Sequence, residues 1–148
     1  MTLGFVQDKL VQTKQWKKIA MSSDGKYQTI ASGIILISNN YGKNWSKANI
    51  NSLSFYDVVM SHDGKYQYAV EVSSNSSKVW KSSDYGVNWS HVKDGLITGS
   101  WPQGAPVSVT TDALGENVVV GRYLAGDSIS IIYSRDYGVT WSNSQTLV

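Results

Sequence analysis

Apolar residues recur at every second position through much of the chain. Tyr66, Tyr68, Val70 and Val72 form one such set, and Ile129, Ile131 and Tyr133 form another. A period of two puts each set on one face of a strand, and the spacing of three and four that marks a helix is not sustained anywhere. The alternating stretches are short because clusters of Gly, Asn, Asp and Ser interrupt them. Asp24-Gly25 and Asp63-Gly64 lie between apolar alternations, where glycine reaches a positive φ at little cost, so each predicts a tight hairpin. A degenerate version, Thr111-Asp112-Ala113-Leu114-Gly115-Glu116, occurs later in the chain.

Three octapeptides align without gaps: Ser38-Asn39-Asn40-Tyr41-Gly42-Lys43-Asn44-Trp45, Ser82-Ser83-Asp84-Tyr85-Gly86-Val87-Asn88-Trp89 and Ser134-Arg135-Asp136-Tyr137-Gly138-Val139-Thr140-Trp141. Their glycines are 44 and 52 residues apart, the length of one four-stranded propeller blade. With the Asp-Gly turns between them, they predict three rounds of strands A to D. These fall at about 16–22, 26–32, 34–38 and 44–48; at 55–61, 65–72, 78–82 and 88–92; and at 106–111, 117–123, 129–134 and 140–144. The expected fold class is all-β: propeller blades of four antiparallel strands, three blades per chain. One domain spans 1–148, with blade 1 at about 16–48, blade 2 at about 55–92 and blade 3 at about 106–144.

The octapeptide resembles the Asp box, S-x-D-x-G-x-T-W, of the sialidase-like (bacterial neuraminidase repeat) propellers, which also include sortilin-type receptors, xyloglucanases and a photosystem assembly factor. The matching residues are Ser38, Asn40, Gly42 and Trp45; Ser82, Asp84, Gly86 and Trp89; and Ser134, Asp136, Gly138 and Trp141. Their chemistry is that of a turn. The Asp84 or Asp136 carboxylate can accept N–H groups of its own turn, the glycine can take a φ closed to a β-residue, and the tryptophan can pack beneath the hairpin. Asn40 replaces the acid in the first copy, and Asn44 and Asn88 replace the threonine in the first two. Asparagine still accepts through its carbonyl, so the first turn is expected to be weaker but formed.

The resemblance also implies an arrangement: A–B and C–D turns on one rim, D–A and B–C connections on the other, where family members place their sites. Family members have six or more blades. A blade needs a neighbour on each face, so three blades leave two apolar faces open. Either two copies form a homodimeric six-bladed ring about a two-fold axis, or the chain is a piece of a longer propeller.

Composition narrows the function classes. The net charge is +2, from 13 Lys and Arg against 11 Asp and Glu, and the basic residues are scattered, without the stripe that nucleic acid requires. Cysteine is absent, which excludes disulfides and thiolate metal sites. No apolar run approaches the roughly 18 residues that cross a bilayer, so no membrane partner is expected. The first residues do not carry the basic start and apolar stretch of an export signal, and the compartment stays open. His62 and His91 are isolated from one another and from carboxylates at metal-ligand spacing, so neither a metal nor a cofactor is expected. Sequons occur at Asn44, Asn75 and Asn88, but two of them fall inside octapeptides and carry little information.

The candidate ligand-binding residues lie in connections that the repeat does not explain. The longest is the Gly-rich stretch from Asp94 to Ala105, which carries Trp101 outside any octapeptide; long connections of this kind are often functional. Trp101 offers a flat apolar face to a sugar ring or a partner's side chain, or else anchors its own loop. Arg122 and Tyr123 end the second strand of blade 3, with Asp127 just beyond, as a polar cluster or a plain surface pair. Asp57, near the start of blade 2's first strand, faces either the channel or a neighbouring blade.

Sialidases of the resembling family hold the substrate carboxylate with three arginines and use a Tyr–Glu pair with an Asp, whereas this chain has only Arg122 and Arg135. A glycosidase needs two carboxyl groups roughly 5 to 9.5 Å apart. Asp57, Asp94, Asp127 and Glu71 are available, but no motif singles out a pair. No H-E-x-x-H, G-x-S-x-G or phosphate-binding glycine loop occurs, so no catalytic residue is assigned. The expected function is a non-catalytic binding module for a glycan or a protein partner. A glycoside hydrolase-related propeller or a fragment of one, and an assembly or scaffold factor, are the alternatives.

Overall fold

The computed structural model of the chain describes residues 17–51, 54–73, 76–94, 107–124 and 128–144. All twelve expected strands are present in order, and no helix occurs among the described residues. Blade 1 comprises β1 (Lys18–Met21), β2 (Gln28–Ala31), β3 (Ile35–Ser38) and β4 (Ser46–Lys47). Blade 2 comprises β5 (Phe55–Met60), β6 (Gln67–Ser73), β7 (Ser76–Ser82) and β8 (Ser90–Asp94). Blade 3 comprises β9 (Ser108–Thr111), β10 (Val118–Leu124), β11 (Ser128–Ser134) and β12 (Ser142–Asn143). Within each sheet the spatial order matches the chain order, with antiparallel pairing throughout. β1 packs beside β5, and β5 beside β9, so the first strands line the common axis and the chain forms consecutive propeller blades.

Several strands begin two residues later than the apolar pattern implies, because turns capture their first N–H groups. Lys26 N–H donates to Asp24 and Tyr27 N–H to Ser22 Oγ, so β2 starts at Gln28. Asn44, Asn88 and Thr140 each donate their N–H to the octapeptide side chain four residues earlier, which delays β4, β8 and β12 in the same way. The degenerate third A–B turn keeps its shape by moving the acceptor. In the first two turns Ser22 or Ser61 accepts the tyrosine N–H and donates to Asp24 or Asp63. In the third, the Asp112 carboxylate takes the place of that serine and accepts Glu116 and Asn117 N–H directly.

The apolar core lies between the sheets. Ala31, Ile35, Ile37, Ala48 and Ile50 of blade 1 meet Phe55, Val58, Ala69 and Trp89 of blade 2. Tyr68, Val70, Val72 and Val79 on the opposite face of blade 2 meet Val107, Val109, Val118, Val120 and Ile132 of blade 3. Polar groups cross the same joints. Thr29 Oγ1 donates to Gln67 Oε1 at 2.7 Å, and Tyr68 donates its hydroxyl to the Gly115 carbonyl at 2.7 Å. Burial pushes the Tyr68 phenol well above the ordinary tyrosine range, so it remains a hydrogen-bond donor.

Candidate functional site

The two rims of the assembly are built differently. On one rim each octapeptide closes a turn. Ser38, Ser82 and Ser134 accept the N–H of Gly42, Gly86 and Gly138, and each serine hydroxyl donates to Asn40, Asp84 or Asp136. The tryptophans tie off the turns from below, as Trp45, Trp89 and Trp141 donate their indole N–H to the carbonyls of the same glycines. Asp84 and Asp136 use their second carboxylate oxygen to accept from the side chains of Asn88 and Thr140, a branch for which Asn40 has no second oxygen. Bonds from the Thr140 hydroxyl and N–H and from Ser134 pull the Asp136 pKa down from an ordinary 3.8 to about 2. Each of these acids therefore works as a turn acceptor.

A feature that the consensus does not reveal is that Tyr41, Tyr85 and Tyr137 also have positive φ, between 57° and 62°, a conformation that costs a non-glycine residue roughly 1–2 kcal/mol. For Tyr85 and Tyr137 a contact between blades offsets part of the cost. Tyr27 of blade 1 stacks on Tyr85 of blade 2 with ring centroids 4.3 Å apart, and Tyr66 of blade 2 meets Tyr137 of blade 3 at 4.7 Å. A–B and C–D turns thus share one rim and lock each blade to the next.

Asp57 belongs to a joint as well. A bulge between Phe55 and Asp57 turns its side chain toward blade 3, in the way bulges re-aim residues. There the buried carboxylate accepts the Ser108 hydroxyl at 2.6 Å and Val109 N–H at 3.0 Å. Val109 lies on β9, the inner edge of its sheet, and Asp57 satisfies an edge N–H that no strand pairs. Of the two placements expected for Asp57, the neighbouring blade is the one observed.

On the opposite rim the blades are unequal. The β2–β3 ladder ends at Ala31↔Ile35. The corresponding ladders of blades 2 and 3 run three pairs further, to Ser73↔Ser76 and Leu124↔Ser128. Arg122 and Tyr123 lie in that extension, paired with Ser130 and Ile129, and Arg122 occupies the ladder position that Glu71 holds in blade 2. Asp94 ends β8, directly before the Gly-rich connection, with His91 Nε2 at 3.4 Å from its carboxylate. Trp101 and Asp127 lie outside the described residues, so the Arg122, Tyr123 and Asp127 group is located by its strands alone.

The structure adds a row of residues that sequence reasoning had not grouped. Glu71, Lys78 and Asp94 stand in register across β6, β7 and β8, and Trp80 donates its indole N–H to Glu71 at 2.7 Å. The His91 ring meets Trp80 edge-on at 5.8 Å. A charged row backed by a half-buried tryptophan can offer hydrogen bonds and an apolar face together. The signal for it lay in strand register, which fixes which distant residues become neighbours. Beneath the same hairpin end, the buried hydroxyl of Ser77 has no hydrogen-bond partner. Among the described residues no group of three or more His, Asp or Glu side chains could hold a metal ion.

No protein-family model matches the sequence, and no curated protein aligns with it. Solved structures do match. A GH74 enzyme from Niastella koreensis superposes with a TM-score of 0.66 at 14% identity, covering 88% of this chain and 22% of that one. YCF48 bound to a D1 peptide gives 0.56 at 15% identity, over 88% and 39% of the two chains. A nidogen/laminin complex gives 0.62 at 12% identity, over 90% and 49%. The chain therefore spans between about a fifth and a half of the length of these matched chains. At such identities the likeness concerns the fold, and with three four-stranded sheets around a shared axis that fold is a β-propeller.

Proposed function

We propose that the chain is a non-catalytic binding module of the Asp-box, sialidase-like propeller type, which recognises a protein segment or a glycan through the rim opposite its octapeptides. The observation that carries this reading is the inequality of the two rims. One is consumed by repeated turns that bond to themselves and to the next blade. The other carries the departures from the repeat: lengthened hairpins in blades 2 and 3, the row Glu71, Lys78 and Asp94, and the end of β8 at Asp94, after which the sequence runs on to Trp101. Residues freed from the repeat are those available for recognition. Among the structural neighbours, YCF48 holds a D1 peptide and nidogen is in complex with laminin, which favours a protein segment and makes an assembly or scaffold role the second reading. The GH74 neighbour keeps a glycoside hydrolase-related propeller, or a fragment of one, within the scope of the test.

The experiment is to probe the immobilised chain with a peptide library and a glycan array, in parallel with hydrolysis assays on xyloglucan and a chromogenic aryl glycoside. Binding to one of the two arrays is expected, abolished by Trp101→Ala or Arg122→Ala at unchanged melting temperature. Turnover of either substrate contradicts the non-catalytic reading. Binding that survives both substitutions but fails in an octapeptide variant of unchanged stability places recognition on the wrong rim.

A further inference from the structure

Among the described residues the same joint is made twice, and half of a third stands open on blade 1 and on blade 3. Register identifies the equivalent positions. Ile19, Val58 and Val109 each sit in the first strand of their blade, opposite Ile30, Ala69 and Val120. Val58 and Val109 are 3% exposed against the preceding blade, while Ile19 is 63% exposed. Likewise Trp89 is 9% exposed and its counterpart Trp45 is 38% exposed. On the far face of blade 3, Val119 and Ile131 are both 38% exposed. Their blade 2 counterparts, Tyr68 and Val79, are fully buried, as are Thr29 and Ile35 of blade 1. A side chain added at Gly121, between them, would meet nothing within 4 Å.

The backbone shows the same interrupted series. Ser23 N–H donates to the His62 carbonyl at 2.9 Å, and His62 N–H donates to the Ala113 carbonyl at 2.8 Å. These three residues hold the same place in successive A–B turns. The series stops at Ala113 N–H and begins at the Ser23 carbonyl, and neither has a backbone partner among the described residues. One end offers the donor and the forward-facing apolar surface, the other the acceptor and the backward-facing one.

We infer that a second copy of this chain fills both vacancies, each copy's blade 3 seating against the other's blade 1 to close a two-fold, six-bladed ring. The two open surfaces have the register and polarity of a joint already made twice, and one chain carries both, so two copies satisfy each other through that same joint. The new joint is leaner than the internal ones. Where Tyr27 and Tyr66 stack on the next blade's octapeptide tyrosine, blade 3 presents Asn117 to Tyr41 of the other copy. The closing joint uses the blade faces and the A–B turn backbone, not the rim proposed for recognition.

The absence of cysteine allows a direct test. Ser23 Oγ and His62 Nδ1 lie 3.2 Å apart across an internal joint, so side chains at Ala113 of one copy and Ser23 of the other would meet in the same way. Light scattering of the unmodified chain should read about 33 kDa, twice the 16.3 kDa of one chain. The double variant Ser23→Cys, Ala113→Cys should oxidise to a covalent dimer on a non-reducing gel, while either single variant stays one chain. A 16.3 kDa monomer, single variants that cross-link as readily as the double one, or a ladder of open-ended polymers would overturn the two-copy ring. The last two outcomes would point respectively to a face-to-face dimer and to further blades of a longer chain as the natural occupant.

Discussion

Blade 1 and blade 2 carry the same turns, the same strand register and closely similar apolar positions, yet among the described residues blade 2 is covered on both faces and blade 1 on one. Ile19 and Val58 differ accordingly. Alternation assigns both to the same face of equivalent strands, but among the described residues only Val58 has a sheet in front of it. Local pattern makes the blade, and company makes the core. For a repeat protein this is the expected division, because each unit is too thin to bury its own apolar face and gains stability from its neighbours.

Three A–B glycines turn the comparison into numbers. Gly25, Gly64 and Gly115 have φ of 77° to 78°. A methyl group on Gly64 would lie 2.8 Å from Tyr27 Cβ, and one on Gly115 would lie 2.6 Å from Tyr66 Cβ. Both contacts are with a Cβ fixed by its own backbone, so relief requires the joint to open. Gly64→Ala and Gly115→Ala should each cost about 3 kcal/mol or more, the φ penalty plus overpacking, measured by denaturant unfolding. At Gly25 the nearest atom is the flexible end of Met21, at 3.8 Å. Gly25→Ala should cost the folded chain only about 1 kcal/mol, with the rest of its effect appearing as association weakened on dilution. Equal losses at all three positions, without any change in mass, would erase the difference between covered and open faces.

Next in size is Asp57. Asp57→Ala leaves the buried Val109 N–H without its acceptor, while the exposed Ser108 hydroxyl can turn to water, at an expected cost of about 1–3 kcal/mol. Asp57→Asn, which keeps one acceptor oxygen, should lose less. A neutral Asp57→Ala would mean that the joint between blades 2 and 3 does not depend on this carboxylate.

The smallest expected effect separates the octapeptide turns from one another. Hydrogen bonds from Thr140, then Ser134, hold Asp136 at about 2 when folded, against an ordinary 3.8. Asp24, Asp63, Asp84 and Asp112 are shifted in the same direction. A depressed carboxylate contributes stability that is fully present above its unfolded pKa and is lost as pH falls through the folded one. The melting temperature should hold near pH 5 and then drop between about pH 4 and pH 2. Asp136→Asn, which gives the third turn the chemistry of the first, should lower the melting temperature at about pH 7 and flatten the acid limb. A variant with an unchanged acid limb would deny the carboxylate its role in the turn.

Strands, turns and blade order were legible because they depend on short-range alternation and on the φ that Gly25, Gly64 and Gly115 require. The delayed starts of β4, β8 and β12 were not, because the same Asn44, Asn88 and Thr140 N–H groups that suit a strand are taken by the turn. Asp57 was ambiguous for a different reason. Its partners Ser108 and Val109 are 51 and 52 residues away, and a bulge that no local motif announces aims it at them. The row of Glu71, Lys78 and Asp94 was hidden likewise, since each residue looks ordinary until the ladder places the three side by side. Even Tyr85 and Tyr137 read as plain consensus until their ring contacts across blades are seen.

Amide hydrogen exchange at Ser23, His62 and Ala113 tests the central claim, that one joint is repeated around the axis, most directly. All three N–H groups are expected to exchange slowly, Ser23 and His62 through carbonyls of the same chain and Ala113 through a carbonyl of the second copy. Fast exchange at Ser23 and His62 would contradict the repeated joint itself. Fast exchange at Ala113 alone would contradict its closure.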